Sequence, residues 1–203
     1  MRKIVALILC AAAGAPLAAQ AQEQPQALFI SPMGQPVRGA ERGAALTAWF
    51  SAADADQDGR LSLEEFLAHE MPFHSVLDRN QDGLVTALES NALYRATAPE
   101  MYAPLPALRG ATAQMPRDPG RLTQPRERQR TDTRRRGAAR FGLLHELEPV
   151  MSCDTDMSRW VSAEEFRLCA ERRFVLLDSD SDGLFALADS PRAQELLADP
   201  EED

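Results

Sequence analysis

Shifting the chain against itself by 100 positions brings Asp54, Asp56, Ser62, Glu64, Glu65, Phe66, Leu77, Asp78, Asp82, Gly83, Leu84 and Ser90 onto identical residues, 12 identities in the 37 positions from 54 to 90. Ordinary amino-acid usage gives roughly two or three by chance, so the chain carries one unit twice. Within each copy two acidic stretches begin 24 residues apart, at Asp54 and Asp78 and again at Asp154 and Asp178. Any fold of this chain must therefore place four related loops.

The first loop, Asp54 to Glu65, has oxygen-bearing side chains at positions 1, 3, 5, 9 and 12 and Gly59 at position 6. Calcium is a hard cation that takes about six to eight oxygens. A twelve-residue loop supplies them from side chains at 1, 3 and 5, a backbone carbonyl at 7, a water often held by 9, and a bidentate glutamate at 12. Here those roles fall to Asp54, Asp56, Asp58, the carbonyl of Arg60, Ser62 and Glu65, with Gly59 at the bend. The second loop matches in full, with Asp78, Asn80, Asp82, Gly83, the carbonyl of Leu84, Thr86 and Glu89.

The fourth loop keeps Asp178, Asp180, Asp182, Gly183 and the carbonyl of Leu184, but has Ala186 at position 9 and Asp189 at position 12. Aspartate is one methylene too short for easy bidentate reach, which weakens the site or shifts it toward magnesium. The third loop keeps Asp154, Asp156 and Glu165, but Ser158 is a poorer donor at position 5 and Arg159 replaces the glycine. A bulky cation where φ > 0 is favoured adds strain and opposes the metal, so this loop is expected to be weak or empty. An isolated Asp-x-Asp is ordinarily solvated surface; two full and two partial matches are not. Position 8, where paired loops of this kind join by a short β-bridge, holds Leu61, Val85, Val161 and Phe185, all apolar and suited to β structure.

On these motifs the chain resembles EF-hand calcium-binding proteins. In its layout it also resembles exported bacterial EF-hand domain proteins, with a leader, an extended Phe29-Ile30-Ser31-Pro32 segment and two loop pairs. The resemblance implies helix-loop-helix units and calcium binding, and no defined biochemical activity. The fold class expected is all-α, with EF-hand units in two pairs joined by short β-bridges and a disordered linker between the pairs. Ala45, Trp49, Phe50 and Ala53 form an apolar stripe leading into the first loop; Phe141, Leu144 and Leu147 lead toward the third but are interrupted at Pro149. Only 12 residues separate Glu65 from Asp78, and Glu165 from Asp178. Phe66, Glu70, Phe73 and Leu77 follow helical spacing, as do Phe166, Ala170, Arg173 and Leu177, so each connector can be one helix, with a kink at Pro72. A shared helix would separate the loops of one copy, and whether loops pair within or between copies stays open.

Charge marks the boundaries. Residues 41–100 carry 11 acids and 4 arginines, 103–140 carry 3 acids and 10 arginines, and 141–203 carry 16 acids and 5 arginines. The expected organisation is a signal peptide at 1–21, an extended segment at 22–40, a first EF-hand pair at 41–102, an Arg/Pro-rich flexible linker at 103–138, a second pair at 139–199 and an acidic tail at 200–203. Arg2 and Lys3 precede an apolar run to Ala15, and Ala19-Gln20-Ala21 is a small-x-small cleavage site, so export to the periplasm or medium is expected. No later stretch is apolar enough to span a bilayer. Cleavage near Ala21 removes Cys10 and the only lysine, leaving Cys153 and Cys169, which in an oxidising compartment read as one disulfide.

A mature chain without lysine has no Schiff-base or phosphate-loop lysine. His69-Glu70 followed by His74 has one residue too many for a zinc-protease helix and Pro72 in its middle. No enzymatic activity is expected. The function expected is that of a secreted or periplasmic calcium sensor or buffer. The alternative is a calcium-stapled structural or adaptor protein of the envelope whose arginine segment binds an anionic polymer. The partners expected are calcium and either an anionic envelope polymer or a protein. No specific nucleic-acid binding is expected.

Overall fold

Two short apolar runs flank a Pro/Gly turn near the start of the chain. The computed structural model describes residues 26–103 and 136–198 and pairs these runs as an antiparallel hairpin, β1 (Ala27–Ile30) with β2 (Pro36–Gly39). At its tip the Gly34 N–H donates to the Ser31 carbonyl at 2.9 Å, and Gly34 has φ +101°. The Tyr94 hydroxyl donates to the Gly34 carbonyl at 2.9 Å and lies where a Cβ would stand, so only glycine fits the turn. The segment expected to be a signal peptide, most of the arginine-rich segment expected to be a disordered linker, and the expected acidic tail lie outside the described residues.

α1 (Arg42–Ala53) turns its apolar stripe of Ala45, Leu46, Trp49, Phe50 and Ala53 inward. After the first loop come β3 (Leu61–Ser62), α2 (Leu63–Glu70) and α3 (Pro72–Leu77), then β4 (Leu84–Thr86) and α4 (Ala87–Thr97) after the second. In the other copy β5 (Trp160–Ser162) leads into α5 (Ala163–Leu177), followed by β6 (Leu184–Phe185) and α6 (Pro191–Ala198). Both connectors are helical. The first is interrupted at Met71 because Pro72 has no N–H to continue the ladder. The second, with Arg172 at that place, runs unbroken.

The expectation of an all-α fold is overturned. The described residues are about 52% helical with 13% strand in three small sheets, a mixed architecture. One reason is the hairpin. Another is the approach to the third loop, which forms 3₁₀ turns at Gly137–Arg140 and Met151–Cys153 in place of an incoming α-helix. Pro149 withholds a helical donor there, and Gly142 forms an isolated parallel bridge with Ile30, whose N–H donates to the Phe141 carbonyl at 3.1 Å.

The open question of pairing is answered across the copies. β3 pairs antiparallel with β6, Leu61 opposite Phe185, and β4 with β5, Val85 opposite Val161. The first loop is thus joined to the fourth and the second to the third. The core is likewise shared, with Phe66 against Phe174 at 5.6 Å between ring centroids, Phe50 against Phe185 at 6.1 Å and His74 against Phe166 at 5.5 Å. Within it the hairpin buries Phe29, Ile30 and Met33 among the helices. Among the described residues no helix is long and apolar enough to cross a membrane.

Cys153 and Cys169 form a disulfide, with Cα atoms 5.4 Å apart and 16 residues of separation. It ties the 3₁₀ turn before the third loop to α5 after it. Closing a loop of this length removes unfolded-state entropy worth about 3 kcal/mol. Thiol counting on the denatured oxidised protein should find none in this pair. The Cys153→Ala/Cys169→Ala double variant should lose about 2–4 kcal/mol in urea unfolding; unchanged stability would mean the bridge constrains nothing.

Candidate metal centres

All four loops share one backbone pattern. Position 4 adopts a left-handed conformation in each, at Gln57, Gln81, Met157 and Ser181 with φ between 61° and 62°. At position 6, Gly59, Gly83 and Gly183 have φ from 83° to 85°, and Arg159 is forced to 77° in the third loop. A non-glycine residue held there carries about 1 kcal/mol or more of strain. The N–H of position 6 then donates to the first aspartate, from Gly59 to Asp54 Oδ2 at 3.0 Å, Gly83 to Asp78 Oδ2 at 2.8 Å, Arg159 to Asp154 Oδ2 at 2.8 Å and Gly183 to Asp178 Oδ2 at 2.9 Å.

In the first loop the Asp58 N–H donates to both Asp54 Oδ1 (3.2 Å) and Asp56 Oδ1 (3.1 Å), so the three carboxylates converge within 4.8 Å of one another. Glu65 closes the loop. Its Oε1 accepts from the Ala55 N–H at 3.0 Å, and its Oε2 accepts from the Ser62 N–H and hydroxyl at 2.9 and 2.8 Å. The Ser62 N–H, more than any other partner, holds this carboxyl below its ordinary range. Ser62 in turn caps α2, whose first turn therefore carries the position-12 acid at the loop's mouth.

The second loop repeats this bond for bond. Asp82 N–H reaches Asp78 Oδ1 at 3.2 Å and Asn80 Oδ1 at 3.0 Å, and Glu89 accepts from Arg79, from the Thr86 N–H and from the Thr86 hydroxyl. The Thr86 N–H is the main reason the Glu89 carboxyl is lowered. These donor sets are all oxygen, anionic and gathered on one side of a tight loop, which fits a hard divalent cation.

The other two loops differ where their residues differ. In the third, Asp154, Asp156 and Glu165 converge within 4.8 Å, and Glu165 is held low chiefly by the Ser162 N–H. The Ser158 hydroxyl, however, donates to the Trp160 carbonyl at 3.0 Å, so the donors expected at positions 5 and 7 satisfy each other. In the fourth, Asp178, Asp180 and Asp182 converge, but no capping box forms. Asp189 lies on a 3₁₀ turn, Leu187–Asp189, and its N–H bonds the Ala186 carbonyl. With Ala186 unable to cap, α6 starts only after Ser190.

Three features were not anticipated from the sequence. Arg60, expected to offer only its carbonyl, sends its guanidinium to Asp182 of the fourth loop at 3.2 Å. Glu70 is fully buried, accepting from Trp49 Nε1 at 2.7 Å and Ser31 Oγ at 2.9 Å. Arg173, also buried, donates to the Pro32 carbonyl at 2.9 Å, the Pro149 carbonyl at 2.6 Å and the Ser152 hydroxyl at 2.7 Å. The signal for the last two was present, since each charge interrupts the apolar stripe of its connector helix. His74 is structural as well: its Nε2 faces the Val161 carbonyl at 3.2 Å and, opposite an acceptor, carries the proton.

The family model described as EF hand matches residues 46–68, which run from α1 through the first loop into α2. No curated protein and no solved structure matches the chain. The match and the acidic clusters together support an EF-hand relationship and binding of a divalent metal such as calcium.

Proposed function

We propose an exported, non-enzymatic calcium-binding protein, secreted or periplasmic by virtue of its 1–21 leader, in which the loops at Asp54 and Asp78 are the principal sites. The observation that carries this reading is the convergence of Asp54, Asp56 and Asp58 within 4.8 Å, with Glu65 drawn across the same loop. Calcium would be held there by these side chains and the Arg60 carbonyl, and in the second loop by Asp78, Asn80, Asp82, Glu89 and the Leu84 carbonyl. The ion supplies charge neutralisation and cross-linking of the loop.

Between a sensor and a buffer or staple, one observation favours the latter. A sensor offers an apolar groove when the ion binds. Here the hairpin fills the space between the helices, with Phe29 and Met33 at 0% exposure and the Phe29 ring tilted against Trp49 at 5.6 Å between centroids. Calcium titration should therefore leave binding of an apolar dye nearly flat.

Calorimetric titration of the metal-free mature protein tests the sites. Glu65→Gln and Glu89→Gln should each remove about one equivalent of calcium, because each deletes the expected bidentate ligand. A double variant that titrates like the wild type would overturn the reading.

A further inference from the structure

In three of the loops the position-5 carboxylate commits one oxygen to its own backbone. Oδ1 of Asp58 accepts from the Arg60 N–H at 2.8 Å, Oδ1 of Asp82 from Leu84 at 2.9 Å, and Oδ1 of Asp182 from Leu184 at 2.9 Å. Oδ2 of Asp82 accepts from the Asn80 side-chain amide of its own loop at 2.9 Å. On Oδ2 of Asp182 sits Nη1 of Arg60, 3.2 Å away. Arg60 belongs to the first loop, and the pairing of Leu61 and Ser62 with Phe185 and Leu184 brings its side chain across to the fourth. The same position in the other loops is Leu84, Trp160 and Leu184, none of them charged.

We propose that Arg60 is a built-in competitor for metal at the fourth loop, a tethered cation that calcium must displace from Asp182. The proposal rests on the calcium reading above and adds an order of filling to it. The fourth loop has no side-chain oxygen at Ala186, and Asp189 is on a 3₁₀ turn, so it depends on Asp178, Asp180 and Asp182. A guanidinium on one of these three offsets a third of their charge and blocks the oxygen the ion needs. The first loop loses nothing, because it uses only the Arg60 carbonyl. The fourth loop therefore fills after the first and second. Since the Arg60–Asp182 pair is half exposed, at 50% and 42%, its effect is modest and weakens with salt.

The backbone provides a separate reporter for each loop, because Gly59, Gly83 and Gly183 each donate an N–H to the first aspartate of their own loop. Calcium is titrated into the mature protein while these three amide resonances are followed, in the wild type and in Arg60→Gln and Arg60→Lys. In Arg60→Gln the Gly183 midpoint should fall about 1.5- to 5-fold, the range expected for loss of an exposed ion pair. The Gly83 midpoint should stay in place, and Arg60→Lys, which restores the charge, should return Gly183 toward the wild-type value. An unchanged Gly183 midpoint in Arg60→Gln, a lysine variant that behaves like the glutamine variant, or a Gly183 silent in all three proteins would each overturn the proposal. Silence of Gly59 and Gly83 is a different result, and would overturn the calcium reading itself.

Discussion

Expressed separately, residues 26–103 and 136–198 should each fail to fold, and mixing them should restore the native structure. Each of the two-residue and three-residue strands in the loops finds its partner in the other copy, β3 on β6 and β4 on β5. A fragment alone would leave Leu61 and Val85 without ladder partners and would expose Phe66, whose ring packs on Phe174. Removing a buried phenylalanine contact costs about 3–5 kcal/mol in core truncations, and a chain of this size has about 5–15 kcal/mol in total. Small domains bury too little surface to absorb such losses. Far-UV circular dichroism and amide dispersion of each fragment and of the equimolar mixture measure this. A dispersed spectrum from either fragment alone would show that the copies are self-sufficient.

Between about pH 4.5 and pH 7 the wild type should lose about 3 kcal/mol relative to Glu70→Gln. Burial drives the Glu70 carboxyl up to about 7, outweighing the bonds from Trp49, Ser31 and the Met33 N–H and the attraction of Arg173. The folded pKa therefore lies above the unfolded one. Stabilisation belongs to the protonated acid; it is fully present below the unfolded value and is lost as pH rises through about 7. At about 1.4 kcal/mol per unit, the gap corresponds to about 3 kcal/mol. Glutamine imitates the protonated acid and should be insensitive to pH at this site. Arg173→Met should then be tolerated better at pH 5 than at pH 8, where it would take a nearby cation from a buried carboxylate. Urea unfolding of the three proteins at several pH values measures both effects, and a wild-type-minus-Glu70→Gln difference that is flat with pH would refute the assignment.

The hairpin is legible in the sequence as a local pattern. Phe29-Ile30 and Val37 flank Ser31-Pro32-Met33-Gly34, two short apolar runs around turn residues, which is a strand-turn-strand pattern. Taken as a single extended segment, it left the expected fold all-α. The charges on the connector stripes are similar. Glu70 and Arg173 stand at core positions of otherwise apolar stripes, which marks them as buried groups needing partners, but neither stripe names the partner. Those partners, Ser31, Trp49, Pro32, Pro149 and Ser152, come from segments far along the chain.

What the sequence determined by itself is the set of four loops and their individual chemistry. Each loop is closed by bonds between residues at most ten positions apart, such as Gly59 to Asp54 and Ala55 to Glu65, so spacing alone decides whether the geometry can form. The capping boxes at Ser62, Thr86 and Ser162, and the lack of one at Ala186, follow from the same local rule. The tertiary structure alone decided which loops meet. Apolar residues at position 8 are alike enough that Leu61 could face Val85, Val161 or Phe185, and it faces Phe185 in a fold where α2 packs on α5, Phe66 against Phe174, across a shared core. From that choice follows the contact of Arg60 with Asp182, two residues 122 positions apart that no local pattern connects.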